Sequence, residues 1–225
     1  MPGIPRIAGY PMPGEADLPP NTARWTVRPD RAALLVHDMQ EYFLRPFAPA
    51  QRRELVENVA LLRDGCARLG MPVAFTAQPG SMTPQQRGLL NDFWGPGMRL
   101  DPDDRAVTAA LAPRGGEQVF TKWRYSAFHR SGLLPWLRHR GRDQLVVCGV
   151  YAHVGVLATA LEAFTHDLET FLVADAVADF CAEDHRLALD YAARRCAVVT
   201  TVHGLPTASG PLLDRTAAPT GEAVA

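Results

Sequence analysis

Short apolar runs alternate with longer amphipathic segments from Ala32 onward, and this alternation constrains the fold more than any other feature of the chain. Strands and helices that alternate in this way build β-α-β units, in which the strands pair in parallel. Strands are predicted at residues 32–36, 73–77, 118–121, 144–147, 171–173 and 197–200. Helices are predicted at 50–69, 102–111, 133–140, 153–167 and 182–195, where apolar residues recur at helical spacing. The pattern therefore predicts an α/β fold with a parallel sheet of six strands.

The length of 225 residues is sufficient for one α/β domain with a well-buried core. We expect that domain at 31–205, preceded by an extension at 1–30 that packs on the core. A tail at 206–225, rich in Pro, Ala, Thr and Gly, is expected to be disordered. Residues 78–100 have no clean period, and a long irregular segment inside a compact domain is often functional. We expect this segment to fold over a ligand.

Charge and cysteine content exclude several classes of protein. With 23 basic and 24 acidic residues, the chain lacks the broad positive surface that binds nucleic acid or an anionic membrane. The N-terminus lacks the apolar core of a secretory signal, and no segment has the ~18 apolar residues of a membrane span. The four cysteines form no CxxC pair, which favours buried, reduced thiols. We therefore expect a soluble, cytoplasmic protein.

Polar side chains follow three of the predicted strands. Asp38 follows the first strand, Gln78 the second and Lys122 the third, while Tyr151 and Gly155 come after the fourth. In an open parallel sheet the ligand crevice lies beyond the carboxyl ends of the strands. We therefore expect a carboxylate, an amide and an ammonium group to converge on one edge of the sheet.

Asp38 has two interpretations. A carboxyl group that follows an apolar strand is poorly solvated, which raises its pKa, whereas a nearby Lys122 lowers it when no ligand is bound. An anionic ligand that pairs with Lys122 would offset that effect, so we expect a protonated Asp38 in the complex. The alternative is that Asp38 caps the turn after the strand. The presence of Lys122 and Gln78 at equivalent strand ends favours the functional interpretation.

Other positions carry weaker signals. Gly155 lies near the start of a predicted helix, whose unpaired N–H groups can bind an anion, although it can equally serve helix packing alone. In either case position 155 cannot supply a nucleophile. Arg87 either binds a carboxylate in a bidentate pair or lies on the surface. About half of the aromatic residues that follow the strand ends are expected to line a pocket: Tyr42, Phe43, Trp94, Trp123, Tyr125, Phe128 and Tyr151.

Four long segments resemble the isochorismatase branch of the isochorismatase-like hydrolases. They are RAALLVHDMQEYF at 31–43, FTAQPGSMTPQQRGLLNDFWGPGM at 75–98, TKWRYSAF at 121–128 and CGVYAHVGVLATALEAFTHDLETFLVADAVADF at 148–180. Within the branch, the chain is most similar to the phenazine-pathway members. These hydrolyse 2-amino-2-deoxyisochorismate to pyruvate and trans-2,3-dihydro-3-hydroxyanthranilic acid. The resemblance runs from about Ile4 to Leu205 and implies a three-layer Rossmann-like fold, a homodimer and a cis peptide bond near Gly149-Val150.

The resemblance also implies roles for individual residues. Asp38 corresponds to the catalytic acid of the family and Lys122 to its catalytic lysine. Gln78, Arg87, Tyr151 and Gly155 correspond to substrate-contacting positions, and Phe43, Trp94 and Tyr125 to pocket walls. Amide-hydrolysing relatives have a nucleophilic cysteine at the position of Gly155, so this chain departs from them.

The expected reaction is hydrolysis of an enolpyruvyl vinyl ether of a small chorismate-derived substrate. It begins with protonation of carbon, which requires a positioned, undissociated acid rather than a nucleophile. Neither a metal nor another cofactor is expected. Metal-using amidase relatives place histidines after strand two, where this chain reads AFTAQPGSM at 74–82.

Two other functions remain open. The chain could be an isochorismatase that makes 2,3-dihydro-2,3-dihydroxybenzoate, because one pocket can accept either substrate. Many siderophore-pathway relatives carry a C-terminal carrier domain, whereas only about 20 residues follow the core here. A non-catalytic binding protein on the same fold is the second alternative, since fold does not fix function.

Overall fold

A six-stranded, all-parallel sheet forms the centre of the protein, as predicted. The computed structural model describes residues 3–207 and 210–211. The strands are β1 (Ala32–His37), β2 (Val73–Ala77), β3 (Gln118–Thr121), β4 (Gln144–Val150), β5 (Glu169–Ala178) and β6 (Ala197–Thr200). Their order in the sheet is β3-β2-β1-β4-β5-β6. Strands β1 to β3 therefore form one half of the sheet, running outward from the centre, and strands β4 to β6 form the other half, again running outward from the centre.

Three strands are longer than predicted, β1 by the single residue His37 and β4 and β5 by several residues. Strand β4 continues to Val150 and β5 to Ala178, with a register shift between Val147 and Gly149 that lets the pairing resume at Gly149 and Val177. A bulge of this kind has no clear periodic signal in the sequence. The extra length brings the residues after β4 to the end of the sheet where Asp38 lies.

The helices flank the sheet on both faces. They are α1 (Glu41–Leu44), α2 (Pro49–Arg68), α3 (Pro84–Arg87), α4 (Leu90–Trp94), α5 (Pro102–Arg105), α6 (Leu133–His139), α7 (Leu157–Thr165) and α8 (Ala182–Arg195). The described residues also contain two 3₁₀ turns, at Glu15–Asp17 and Ala109–Leu111, and a π-helical turn at Ala152–Val156.

The helix predicted at 102–111 is wrong in extent. It stops at Arg105, because Ala106 takes an extended backbone and Val107 pairs with Gln40 in an antiparallel bridge. Hydrogen bonds from Glu41 N–H to the Ala106 carbonyl and from Thr108 N–H to the Met39 carbonyl hold this bridge. Tertiary pairing thus overrides a local helical pattern, and it ties the segment to the chain just after Asp38.

The side chains of β1 alternate between two hydrophobic layers. Leu34 and Val36 pack with α2 on one face, and Ala33 and Leu35 pack with α6, α7 and α8 on the other. All four are fully buried, as a central parallel strand requires. This arrangement confirms the predicted three-layer fold.

The chain before β1 packs on the core through Ile7 and Val27, which are buried. Beyond Leu205, strands β7 (Pro206–Thr207) and β8 (Gly210–Pro211) pair antiparallel. The rest of the predicted tail lies outside the described residues, and the domain bounds remain a prediction. Among the helices described here, none is long and apolar enough to span a membrane.

Candidate active site

A cleft opens at the carboxyl ends of β1 and β4, where the order of the sheet reverses. This is the place at which open α/β sheets bind ligands. All nine residues predicted for the site line the cleft, together with seven others. The full set is Ile4, Asp38, Tyr42, Phe43, Gln78, Arg87, Leu90, Trp94, Lys122, Arg124, Tyr125, Val150, Tyr151, Val154, Gly155 and Phe180.

Asp38 and Lys122 form a buried ion pair at the floor of the cleft. The Lys122 Nζ lies 2.8 Å from Oδ2 of Asp38, and both residues are 3% exposed. The Thr76 hydroxyl donates to Oδ1 at 2.6 Å and accepts the backbone N–H of Asp38 at 3.0 Å. The N-cap of α1 is Gln40, so Asp38 does not cap that helix. The carboxylate is therefore held by groups from the ends of β2 and β3.

The backbone of Asp38 is itself unusual. Its φ is 51°, in the left-handed region that residues with a Cβ rarely adopt. Strained residues of this kind cluster at active sites. The turn places the carboxyl group directly beyond the end of β1.

Opposing influences set the pKa of Asp38. Burial raises the pKa of this carboxyl group, but the Lys122 ammonium, His37 and the hydrogen bonds from Lys122 and Thr76 together hold it below its usual value. Asp38 is therefore ionised near neutral pH when the cleft holds no ligand. This is the balance expected from the sequence for the unliganded protein.

His37 lies behind the cleft and is fully buried. Burial lowers its pKa to about 4, so the ring is neutral. Its Nδ1 lies 2.8 Å from the Val150 carbonyl oxygen, which assigns the proton to Nδ1. His37 thereby links the ends of β1 and β4.

Gln78 and Arg87 lie together on one side of the cleft. Gln40 fixes the backbone of Gln78 by accepting its N–H at 2.7 Å and donating to its carbonyl at 3.1 Å. The Arg87 Nη1 is 3.5 Å from Oε1 of Gln78, and its Nε donates to the Gly95 carbonyl. Burial lowers the pKa of Arg87, and nearby Arg124 adds to this effect. Arg87 is thus a buried cation, not the surface residue of the alternative interpretation.

Aromatic rings form most of the remaining wall. Tyr151 donates its hydroxyl to the Phe43 carbonyl at 2.7 Å, and its ring lies 4.4 Å from that of Phe180. Trp94 donates from Nε1 to the Tyr125 hydroxyl at 2.9 Å. Five of the seven aromatic candidates line the cleft, and Trp123 and Phe128 do not.

Gly155 lies in the π-helical turn that opens α7, as expected for a residue near a helix start. Nearby, His153 donates its backbone N–H to Asp179 at 2.6 Å, and Nδ1 of His153 lies 2.8 Å from the same carboxylate. The cis peptide bond is at Val150-Tyr151, one bond after the predicted position. These contacts fix the turn that presents Tyr151 and Gly155 to the cleft.

One group in the described part of the chain has the spacing of a cation site: His153, Asp179 and Asp184, whose ligand atoms lie within 4.8 Å of one another. The spacing in the sequence does not predict this group, because two of the three residues follow β5 and one follows β4. The Asp179 carboxylate also accepts the backbone N–H of Phe180 at 2.9 Å. Its present role is to hold the turn at His153.

Arg124, Ile4 and Phe180 are among the lining residues that were not predicted for the site, and Thr76, which lies behind the lining, was not predicted for it either. Arg124 lies two residues beyond Lys122, so the strand-end rule could have identified it. Thr76 was assigned to β2 without a role, because strand alternation alone does not show which polar side chain reaches a neighbour. Ile4 and Phe180 have no local signal, since each reaches the cleft from a distant part of the sequence.

Comparison with known proteins identifies the family. A family model for the "Isochorismatase domain" matches residues 32–204. The phenazine biosynthesis protein PhzD1 of Pseudomonas aeruginosa is 59% identical over 201 residues, covering 89% of this chain and 97% of that protein. A probable isochorismatase of Pseudomonas chlororaphis is 58% identical over the same length and the same shares of the two chains.

A solved structure supports the fold. A cysteine hydrolase from Pseudomonas syringae pv. phaseolicola has a TM-score of 0.73 and 25% identity, over 81% of this chain and 93% of that chain. Taken with the family model and the two relatives, it shows that the chain belongs to the isochorismatase family of hydrolases.

Proposed function

We propose that the protein hydrolyses the enolpyruvyl vinyl ether of 2-amino-2-deoxyisochorismate, giving pyruvate and trans-2,3-dihydro-3-hydroxyanthranilic acid. The observation that carries the proposal is a buried Asp38 carboxyl group paired with Lys122 in a cleft where residue 155 has no side chain. The names of the two relatives, one a phenazine biosynthesis protein and one a probable isochorismatase, are consistent with this chemistry.

The charges of the cleft suit a substrate with two carboxylates. Arg87, Lys122 and Arg124 line it as cations, and Asp38 is the anion among the lining side chains. A chorismate-type substrate carries one carboxylate on the enolpyruvyl group and one on the ring. Lys122 would bind the enolpyruvyl portion and Arg87 the ring carboxylate, because a guanidinium group can hold a carboxylate with two hydrogen bonds.

Binding has to change the protonation of Asp38. In the unliganded cleft the carboxylate is ionised, because Lys122 offsets the effect of burial. A substrate carboxylate that pairs with Lys122 neutralises this cation, brings in negative charge and excludes water. Each of these changes raises the pKa of Asp38, so the complex favours the acid form that the reaction requires.

The protonated Asp38 then delivers its proton to the terminal methylene carbon of the enol ether. The resulting oxocarbenium ion is stabilised by the carboxylate that remains. Water adds to the cationic carbon and releases a proton, which restores the acid, and the hemiketal collapses to pyruvate and the ring alcohol. Gly155 and Tyr151 would contact a substrate carboxylate through the backbone, and Phe43, Trp94 and Tyr125 would enclose the ring.

Pyruvate release from each purified substrate tests the proposal. We expect turnover of 2-amino-2-deoxyisochorismate to exceed that of isochorismate in kcat/KM. The reverse preference would assign the protein as an isochorismatase, and no pyruvate from either substrate would favour a binding protein.

The variant Asp38→Asn keeps the shape of the side chain but cannot donate an acidic proton. It should lose at least ~100-fold in kcat, the lower end for a general acid. Asp184→Asn, which changes a carboxylate outside the cleft, is the matched control and should retain activity. Near-full activity in a folded Asp38→Asn protein would contradict the mechanism.

We also propose a homodimer that acts in a reducing cytoplasm. Leu89, Phe93 and Phe164 are 77%, 67% and 49% exposed on one face beside Tyr125, and a cluster of this kind marks an association surface. All four cysteines are free, which suits a reducing compartment. Sedimentation equilibrium should give a dimer mass, and Phe93→Glu should shift the protein toward monomer.

A further inference from the structure

The glycine at 155 is not explained by its backbone conformation. Gly155 lies in a helical turn and is absent from the glycines of the described chain whose φ is positive. An L-residue could therefore adopt its φ and ψ without strain. The reason for glycine here has to be the space around it.

That space is filled by His37. A Cβ atom added to Gly155 would overlap Cε1 of His37, and it would lie 3.1 Å from Nε2 of the ring and 3.2 Å from the Tyr125 carbonyl oxygen. The imidazole therefore occupies the space that the Cβ of any side chain at position 155 would need.

The ring cannot easily move away. It is fully buried, and its Nδ1 is held by the Val150 carbonyl at 2.8 Å. His37 is also paired in register with Gly149, and a Cβ at Gly149 would overlap the backbone of His37. Both the backbone and the side chain of His37 are thus fitted against glycines from the β4 end of the cleft.

We propose that His37 determines the class of reaction by excluding every side chain, and hence every nucleophile, from position 155. The ring and the glycine form a steric pair, so a single change from Gly155 to cysteine is not accommodated, and a smaller residue at 37 is needed first. Asp38 and Lys122 therefore lie in a cleft that has no nucleophilic side chain at position 155. This inference does not depend on which enol ether is hydrolysed.

A double-mutant comparison of thermal unfolding tests the pair. The variant Gly155→Ala is measured alone and in a His37→Asn background, because the Asn amide can still donate to Val150 but lacks the far side of the ring. Overpacking by one methyl group should lower Tm by about 5–10 °C in the wild-type background. In the His37→Asn background the same change should lower Tm by less than half as much.

Gly115→Ala is the control, because a Cβ at Gly115 meets nothing within 4 Å and its φ is not positive. It should shift Tm by no more than about 1 °C in either background. If His37→Asn does not fold, His37→Thr replaces it, since threonine suits a strand and its hydroxyl is a donor. Equal Tm losses from Gly155→Ala in both backgrounds would overturn the proposal.

A thiol gives a second, chemical measurement. Gly155→Cys in the His37→Asn background should fold and be alkylated by iodoacetamide at residue 155, as located by peptide mass spectrometry. A Gly155→Cys protein with His37 intact that keeps the Tm of the wild type and is alkylated at 155 would also overturn it. Neither measurement uses pyruvate release, so failure of this steric proposal is distinguishable from failure of the proposed function.

Discussion

Replacing Lys122 by methionine should make the stability of this protein depend on pH in a way that the wild type does not show. Lys122 Nζ lies 2.8 Å from the Asp38 carboxylate, and both residues are almost fully buried. At an effective dielectric constant of about 20, two unit charges at this separation attract by about 6 kcal/mol. Removing one partner of a buried pair typically costs about 3–5 kcal/mol, because the other charge stays buried.

Protonation of Asp38 limits that cost. With the cation gone, burial raises the pKa of Asp38 well above the ordinary 3.8, so the folded variant can bind a proton that the unfolded chain does not. Taking up this proton costs about 1.4 kcal/mol for each pH unit above 3.8. The loss of stability on removing Lys122 is therefore limited to about 1.6 kcal/mol at pH 5 and about 4 kcal/mol at pH 7. In the wild type the Asp38 pKa is depressed, so its contribution is constant over this range and is lost only at lower pH.

Urea unfolding of wild type and Lys122→Met at pH 5, 6 and 7 measures the effect. The difference in the free energy of unfolding should grow by up to about 2.7 kcal/mol between pH 5 and pH 7. The double variant Asp38→Asn/Lys122→Met is the control, because it has no carboxyl group to titrate and should show no such growth. A difference that is the same at all three pH values, or an equal slope in the control, would refute this account of the pair.

Three further predictions concern the rest of the molecule. Burial lowers the pKa of both His37 and His185 to about 4. Below pH 6.5 the unfolded chain therefore binds protons that the folded protein does not. The free energy of unfolding should fall from pH 6.5 toward pH 4, by up to ~1.4 kcal/mol per pH unit for each ring. The variant His185→Gln should remove about half of that slope in urea titrations, and an unchanged slope would contradict the assignment. Of the four cysteines only Cys181 is not buried, so a thiol reagent should label it first and the other three only on unfolding; early labelling of Cys66, whose pKa burial raises to about 12, would count against the packing. Pyruvate release should be unaffected by EDTA, whereas loss on chelation with recovery on adding zinc would point to a metal-dependent step.

The sheet was predictable because most of its strands contain apolar runs, and the longer helices α2, α6, α7 and α8 because their apolar residues recur at helical spacing. The short helices α1, α3 and α4 were not predicted, because four or five residues are too few to show such a period. What the sequence could not supply were features set by partners distant in the chain. The register shift between β4 and β5, where Val147 pairs with Leu172 and Gly149 with Val177, lets both strands run beyond their apolar runs, and the bridge between Gln40 and Val107 interrupts a helical pattern. Both depend on neighbours that become known only when the strands are placed.

The same division applies to the site. Asp38 and Lys122 were predictable because the ends of parallel strands share one edge, and the structure brings them within 2.8 Å. The role of Thr76 was not predictable, because it depends on a side-chain contact from β2 to Asp38 at the end of the neighbouring strand β1. The absence of a nucleophile at 155 follows from the glycine alone, whereas the overlap that a Cβ there would make with the ring of His37 depends on how β1 and β4 pair in the sheet.

The first residues of the described chain form part of the cleft, since Ile4 lines it from a segment anchored by Ile7 in the core and by a hydrogen bond between the Tyr10 hydroxyl and the backbone N–H of Asp179. This segment precedes β1 and lies outside the range matched by the family model. We therefore expect that substitutions at residue 4 alter the shape of the cleft while the strand ends that hold Asp38 and Lys122 stay intact. For enzyme engineering, a small library at residue 4 is a less disruptive starting point than changes within the sheet.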